Sequence, residues 1–170
     1  MKLFLIGYMG SGKSTVGEKL TAMIHLDFID FDDYIEKKAG KTIAEIFENQ
    51  GEEKFRIMEN SFLREVITID NVVISLGGGT PCFFNNMELI NKNGISVYLE
   101  MTVDSLVKRL LKAKRKRPLI DGMNAVDLKY FIEANLEKRK PIYKQAHHTI
   151  NSENKSPEEL AELIWKMVSK

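Results

Sequence analysis

One cysteine (Cys82), one tryptophan and four prolines are all that this 170-residue chain carries of those types. A single thiol excludes an intramolecular disulfide and any metal site built from several cysteines. No apolar run approaches the ~20 residues that a membrane-spanning helix needs. The apolar start passes straight into a glycine loop with no cleavage-like segment, so no secretory signal is read there. His25, His147 and His148 have no acidic partners at metal-ligand spacing. A cytoplasmic location is the expectation. A strong charge excess is missing too, since the formal net charge is +1. That balance hides a segregation. From Lys108 to Arg117, seven of ten residues are basic and none is acidic, which leaves 18 basic against 24 acidic residues elsewhere. A mildly acidic body with one basic segment argues against a general nucleic-acid surface and for a local anion site.

What is present is ordinary globular material, with 44% hydrophobic and 29% charged residues and length for one domain, here 1–170. No repeat, low-complexity tract or linker divides it. Short apolar runs at Leu3 to Gly7, Phe28-Ile29, Val72 to Leu76, Ile95 to Glu100 and His148 to Asn151 read as five strands. Helical patterns lie between and after them: Gly12 to about Ile24, Asp33 to Lys38, Ile43 to Asn49, Glu52 to about Ile69, Asn85 to Lys92, Val103 to about Leu111, Val126 to about Lys138 with Pro141 close behind, and Pro157 to Val168. Alternating strands and helices imply an α/β/α sandwich around a parallel five-stranded sheet.

Gly7-Tyr8-Met9-Gly10-Ser11-Gly12-Lys13-Ser14 fits G-x-x-x-x-G-K-[ST]. Its glycines let backbone N–H groups wrap an anion at a helix N-terminus. Gly10, Ser11, Gly12, Lys13, Ser14 and Thr15 are thus candidates for nucleotide binding, with Lys13 on the terminal phosphates and the Ser14 hydroxyl on Mg²⁺. The competing reading is a glycine-rich turn that binds nothing; the preceding strand and following helix weigh against it. Asn91-Lys92-Asn93-Gly94 is close to a guanine-reading N-K-x-D but lacks the aspartate and precedes its strand, so it reads as a helix-ending turn. The third strand does not end in a metal-supporting Asp, which leaves Asp30 and Asp32 after the second strand. Two apart, they point the same way if the extended geometry persists, one toward the metal and one toward an acceptor hydroxyl. Solvated loop acids or a helix cap, best suited to Asp33, is the alternative.

In Gly51-Glu52-Glu53-Lys54-Phe55-Arg56-Ile57-Met58-Glu59, helical spacing puts Glu52, Phe55, Arg56 and Glu59 on one side. That holds a guanidinium rigidly for a ligand carboxylate, or else forms a surface salt-bridge ladder with Phe55 in the core. Gly77-Gly78-Gly79 after a strand allow backbone approach to a small substrate. The stretch from Lys108 to Pro118 reads as a nuclear-localisation or nucleic-acid patch, as a solvated helix face, or as a lid over ATP with Arg117 meeting the transferring phosphoryl group. Its place opposite the phosphate loop favours the lid.

Taken together, the phosphate loop, Asp30 with Asp32, Gly51–Glu59, the triple glycine, Arg117-Pro118-Leu119 and Arg139-x-Pro141-x-Tyr143 resemble the shikimate kinases, in the same order and over essentially the whole chain. The resemblance implies a P-loop kinase fold of the nucleoside-monophosphate-kinase type, with a phosphate loop at 7–15, substrate-binding helices at about 32–60 and a lid at about 111–124. It implies transfer of the γ-phosphate of ATP, with Mg²⁺, to the 3-hydroxyl of shikimate on the route to chorismate. Asp32 would then bind the hydroxyls and act on the attacking one, while Arg56 and Arg139 clamp the carboxylate and Gly77, Gly78 and Gly79 complete the pocket. Ser14 would hold the metal directly and Asp30 through water. Lys13 and Arg117 would meet the γ-phosphate, and Arg109 with the Asn151–Pro157 loop, including Pro157, would flank the adenine. Cys82, Phe83 and Phe84 lie outside the motif and receive no role. The partners so implied are shikimate and ATP, with no nucleic acid or membrane, on a monomer. A gluconate or nucleoside-monophosphate kinase, an idle nucleotide-binding protein and a nucleic-acid-binding module are the rival readings.

Overall fold

Leu3, Phe4, Leu5 and Ile6 are buried on both faces, which only a central strand of a covered sheet permits. The computed structural model describes residues 1–113 and 118–169. Its strands are β1 (Lys2–Ile6), β2 (Asp27–Asp30), β3 (Val72–Ser75), β4 (Ile95–Glu100) and β5 (His148–Asn151). They form one sheet in the order β2-β3-β1-β4-β5, and every pairing is parallel. The helices are α1 (Lys13–Ile24), α2 (Phe31–Ala39), α3 (Ile43–Val66), α4 (Asn86–Asn93), α5 (Val103–Lys112), α6 (Ala125–Tyr143) and α7 (Pro157–Val168).

The alternation of β1 sorts the two cores. Leu3 and Leu5 face Val16 and Leu20 of α1 and Ile164 of α7. Phe4 and Ile6 face the opposite layer, where Ile35, Leu63, Ile90, Leu106 and Ile132 bring in α2 through α6. Each of these buried side chains contributes about 1.5–3 kcal/mol relative to exposure. Because all five strands run the same way, Ile6, Asp30, Ser75, Glu100 and Asn151 end at one rim of the sheet. The phosphate loop, the triple glycine and the start of α2 therefore meet there, at the crevice where parallel sheets bind ligands.

Two local expectations change. Pro141 does not follow α6 but lies inside its last turn, and the helix continues to Tyr143. The second strand does not stay extended past its end, because Asp30 caps α2 and Phe31 is already helical. Residues 114–117, with Arg117 and four of the seven basic residues of that run, lie outside the described residues.

Candidate active site

The phosphate loop holds its lysine inward. Lys13 Nζ donates to the carbonyls of Gly7 (2.9 Å) and Tyr8 (3.0 Å), and the side chain is buried. Gly10 and Gly12 both take positive φ, 83° and 89°, which turns the loop around the space in front of α1. The Ser11 hydroxyl is buried without a hydrogen-bond partner among the described residues. Thr15 is exposed on the first turn of α1.

Asp30 divides its carboxylate between two tasks. Oδ1 accepts from the backbone N–H groups of Asp32 (3.1 Å) and Asp33 (3.4 Å), so Asp30 rather than Asp33 is the cap. Oδ2 accepts from the Ser14 hydroxyl at 2.5 Å, and the Ser75 hydroxyl lies 3.3 Å from Ser14 Oγ. Asp30 and Asp32 thus point in different directions because the chain turns helical between them. The same turn swings Asp32 toward the triple glycine.

That glycine strip organises the rest. A Cβ on Gly77 would come within 2.6 Å of Asp32 Oδ1. One on Gly78 would sit 3.2 Å from Met9 N and 3.6 Å from Arg139 Nη1. One on Gly79 would meet Arg56 Nη2 at 2.6 Å and Nη1 at 2.7 Å. Three consecutive residues therefore each touch a different polar group, from α2, α6 and α3, and side chains on the outer two would collide with them. The polypeptide needs bare backbone here for two guanidinium groups and a carboxylate to converge.

Arg56 is fixed from several sides. Nη1 donates to Glu59 at 2.8 Å, and Nε and Nη2 both reach Glu52 Oε1 at 3.3 Å. Glu59, itself buried, accepts from Thr80 Oγ1 at 2.5 Å. The ring of Phe83 lies 4.0 Å from the guanidinium carbon and that of Phe55 5.1 Å. Phe83 and Ser75 are site residues that sequence reasoning missed; neither sits in a chemical motif, and their partners lie 27 and 61 positions away. The helix-period pattern of Glu52, Arg56 and Glu59 is borne out. Cys82 lies within the fields of Arg139 and Arg56; burial outweighs both and pushes its thiol up to about 11, so it stays neutral near pH 7.

On the nucleotide side, Arg109 Nη1 would lie 3.1 Å from a Cβ on Gly12. Arg109 also lines a cleft of about 220 Å³ with Met101, Ser105, Lys108, Glu153 and Asn154. Pro157 opens α7 just beyond that cleft and is not part of its lining. A larger open groove, about 520 Å³, lies between α5 and α6 at Val107, Val126 and Tyr130 and holds none of the residues singled out above.

A family model described as shikimate kinase matches residues 9–169. The chain belongs to the shikimate kinase family. It is accordingly a kinase, and the five-stranded parallel sheet with flanking helices is that family's P-loop fold. The shikimate kinase of Parabacteroides distasonis is 47% identical over 89% of this chain and 88% of its own. The crystal structure of shikimate kinase from Bacteroides thetaiotaomicron superposes with a TM-score of 0.96 at 40% identity, covering 100% of this chain and 99% of that one. Shikimate kinase from Acinetobacter baumannii, solved in complex with shikimate, gives 0.91 at 34% identity, over 99% and 92% of the two chains.

Proposed function

We propose that this kinase moves the γ-phosphoryl group of ATP to the 3-hydroxyl of shikimate, yielding shikimate 3-phosphate on the route to chorismate, with the glycine strip as the floor of the acceptor site. The observation that carries this reading is the convergence of Asp32, Arg139 and Arg56 on Gly77, Gly78 and Gly79. A small carboxylate bearing several hydroxyls requires this complement. The two guanidinium groups grip the planar carboxylate, and Asp32 accepts a hydrogen bond from the attacking hydroxyl, orienting it and able to take its proton. Met9 N, close to Gly78, marks where the acceptor site adjoins the phosphate loop.

Lys13 now bonds the carbonyls of its own loop. Exchanging them for phosphate oxygens places an ammonium beside the transferring group, and Arg117 adds a second charge from the lid at about 111–124. Arg109, near Gly12, borders the nucleotide at the cleft it lines, with Pro157 at the far side of the neighbouring loop. The Ser14 hydroxyl and the Asp30 Oδ2 that accepts from it fit Mg²⁺, a hard ion that takes one or two protein oxygens and completes its shell with phosphate and water. Among the described residues no group of three His, Cys, Asp or Glu gathers. When bound, the ion neutralises charge on the bridging phosphate oxygens. Lid closure excludes water, so that the hydroxyl held by Asp32 is the available acceptor. The whole chain acts as one domain, as a cytoplasmic monomer; among the described residues no helix is long and apolar enough to cross a membrane.

A coupled assay of ADP release, with ATP and Mg²⁺ and a panel of shikimate, gluconate and nucleoside monophosphates, tests the proposal. Turnover with shikimate and a product heavier by one phosphoryl group is expected. Turnover only with another acceptor, or none from folded protein, refutes it.

A further inference from the structure

The two arginines of the acceptor site are held by opposite means. Arg56 is paired with Glu52 and Glu59, so much of its charge is already answered. No ion pair joins Arg139 to a carboxylate among the described residues. What surrounds it is aromatic and neutral. The guanidinium carbon of Arg139 lies 5.6 Å from the centre of the Tyr8 ring. Tyr143, one helical turn further along α6, donates its hydroxyl to the Gly78 carbonyl at 2.5 Å, and a Cβ on that same glycine would sit 3.6 Å from Arg139 Nη1. The Tyr143 ring is fully buried against Tyr98, with centroids 5.1 Å apart.

We propose that Tyr143 and Tyr8 are positioning residues for Arg139: the Tyr143 hydroxyl fixes the Gly78 backbone against which the guanidinium lies, and the Tyr8 ring face supports it from the phosphate loop. This rests on the reading of Arg139 as a clamp for the acceptor's carboxylate. The chemical advantage is specific. A carboxylate support would compete with the ligand for the guanidinium, whereas a backbone fixed by a neutral hydroxyl and a π-face restrict its geometry and leave the full charge for the incoming anion. The Pro141 inside α6 does not interrupt this seat, because Arg139 and Tyr143 remain four residues apart on one helix face.

The two tyrosines are predicted to differ in which part of the side chain matters. The Tyr143 hydroxyl holds the Gly78 carbonyl, while the Tyr8 hydroxyl is buried and has no hydrogen-bond partner among the described residues. Removing the hydroxyl is therefore harmful at 143 and neutral at 8, whereas weakening the π-face is harmful at 8.

Steady-state kinetics on the full chain test this. Tyr143→Phe raises the KM for shikimate about five-fold, from loss of one net hydrogen bond, with kcat and the KM for ATP within about two-fold. Tyr8→Phe retains the parent KM for shikimate. Replacing Tyr8 with 3,4,5-trifluorophenylalanine, which keeps the shape and depletes the ring's negative face, raises it about three-fold relative to Tyr8→Phe. In an Arg139→Lys background, Tyr143→Phe adds less than about two-fold, because the effects run through one group. An unchanged KM for Tyr143→Phe, or equal losses for both substrates together with a lowered Tm, overturns the inference. Arg139→Lys itself separates it from the reading beneath. If that variant leaves shikimate binding intact, the clamp assignment fails. If it weakens shikimate binding while the tyrosine variants do not, only the positioning role fails.

Discussion

Replacing Arg56 with alanine removes the proposed carboxylate clamp and a structural cation at once. Without it, the buried Glu59 keeps only Thr80 as hydrogen-bond partner among the described residues, and an uncompensated buried carboxylate is costly. Two separable outcomes are expected for Arg56→Ala. Shikimate affinity falls about 10- to 100-fold, the range for a charged hydrogen-bonding pair, with ATP affinity within about two-fold by titration calorimetry. The Tm falls as well. Equal losses for both ligands would mean that Arg56 does not face the acceptor. For Asp32→Asn, rapid-mixing kinetics should show turnover down by about 10²- to 10⁴-fold with ATP still bound; unchanged turnover removes Asp32 from the reacting group. Both residues were legible from spacing and charge. Phe83 and Ser75 were not, since an aromatic ring or a serine has a role here only through what it approaches across the fold.

Between residue and molecule stand the helix ends, where the structure shows caps that the reading of the sequence does not name. Thr42 and Glu45 form a reciprocal capping box at the start of α3, as do Ser156 and Glu159 at the start of α7. The separate helical patterns on either side of Gly51 meet at a kink, where Gly51 has φ 81° and ψ 169°. That region is essentially reserved for glycine. A Cβ there would meet nothing within 4 Å, so Gly51→Ala reports backbone strain alone. A loss of about 1–3 kcal/mol is expected, read from urea unfolding. Because the kink sets the direction of the segment carrying Glu52 and Arg56, the KM for shikimate should rise more than that for ATP. A stability equal to the parent's would show that the kink is not enforced by this residue. The misjudged element was the path after β2. The pair Asp30 and Asp32 looks extended by proximity to a strand, but Asp30 Oδ1 collects two backbone N–H groups and starts α2 one residue later.

Across the whole molecule, the rim of the sheet is tied together by side chains from distant segments. Glu153, in the loop after β5, accepts from Thr102 N (2.7 Å), Thr102 Oγ1 (3.0 Å) and Ser105 Oγ (2.6 Å) at the start of α5, beside the Arg109 cleft. Burial opposes its ionisation, yet the Ser105 and Thr102 donors outweigh this and hold its carboxyl below the usual range. A depressed carboxyl contributes stability that is fully present above the unfolded-state value of about 4.3 and disappears as pH falls through the folded one. Glu153→Gln should therefore unfold at a lower temperature than the parent near pH 7, with the two Tm values converging in acid. A constant gap across pH would mean that the carboxylate charge is not what binds this loop to α5. The sequence by itself determined the parallel α/β sheet, the phosphate loop and the arginine flanked by glutamates, because each is written in residues within one or two turns of each other. Only the tertiary structure decided that Asp32, Arg139 and Arg56 lie along three successive glycines, that Ser75 joins Ser14 and Asp30, and that Arg139 lies over the Tyr8 ring beside the glycine whose carbonyl Tyr143 holds. Those groups come from separate elements, and it is the order β2-β3-β1-β4-β5, set by burial of a shared core, that brings the ends of the strands to one rim.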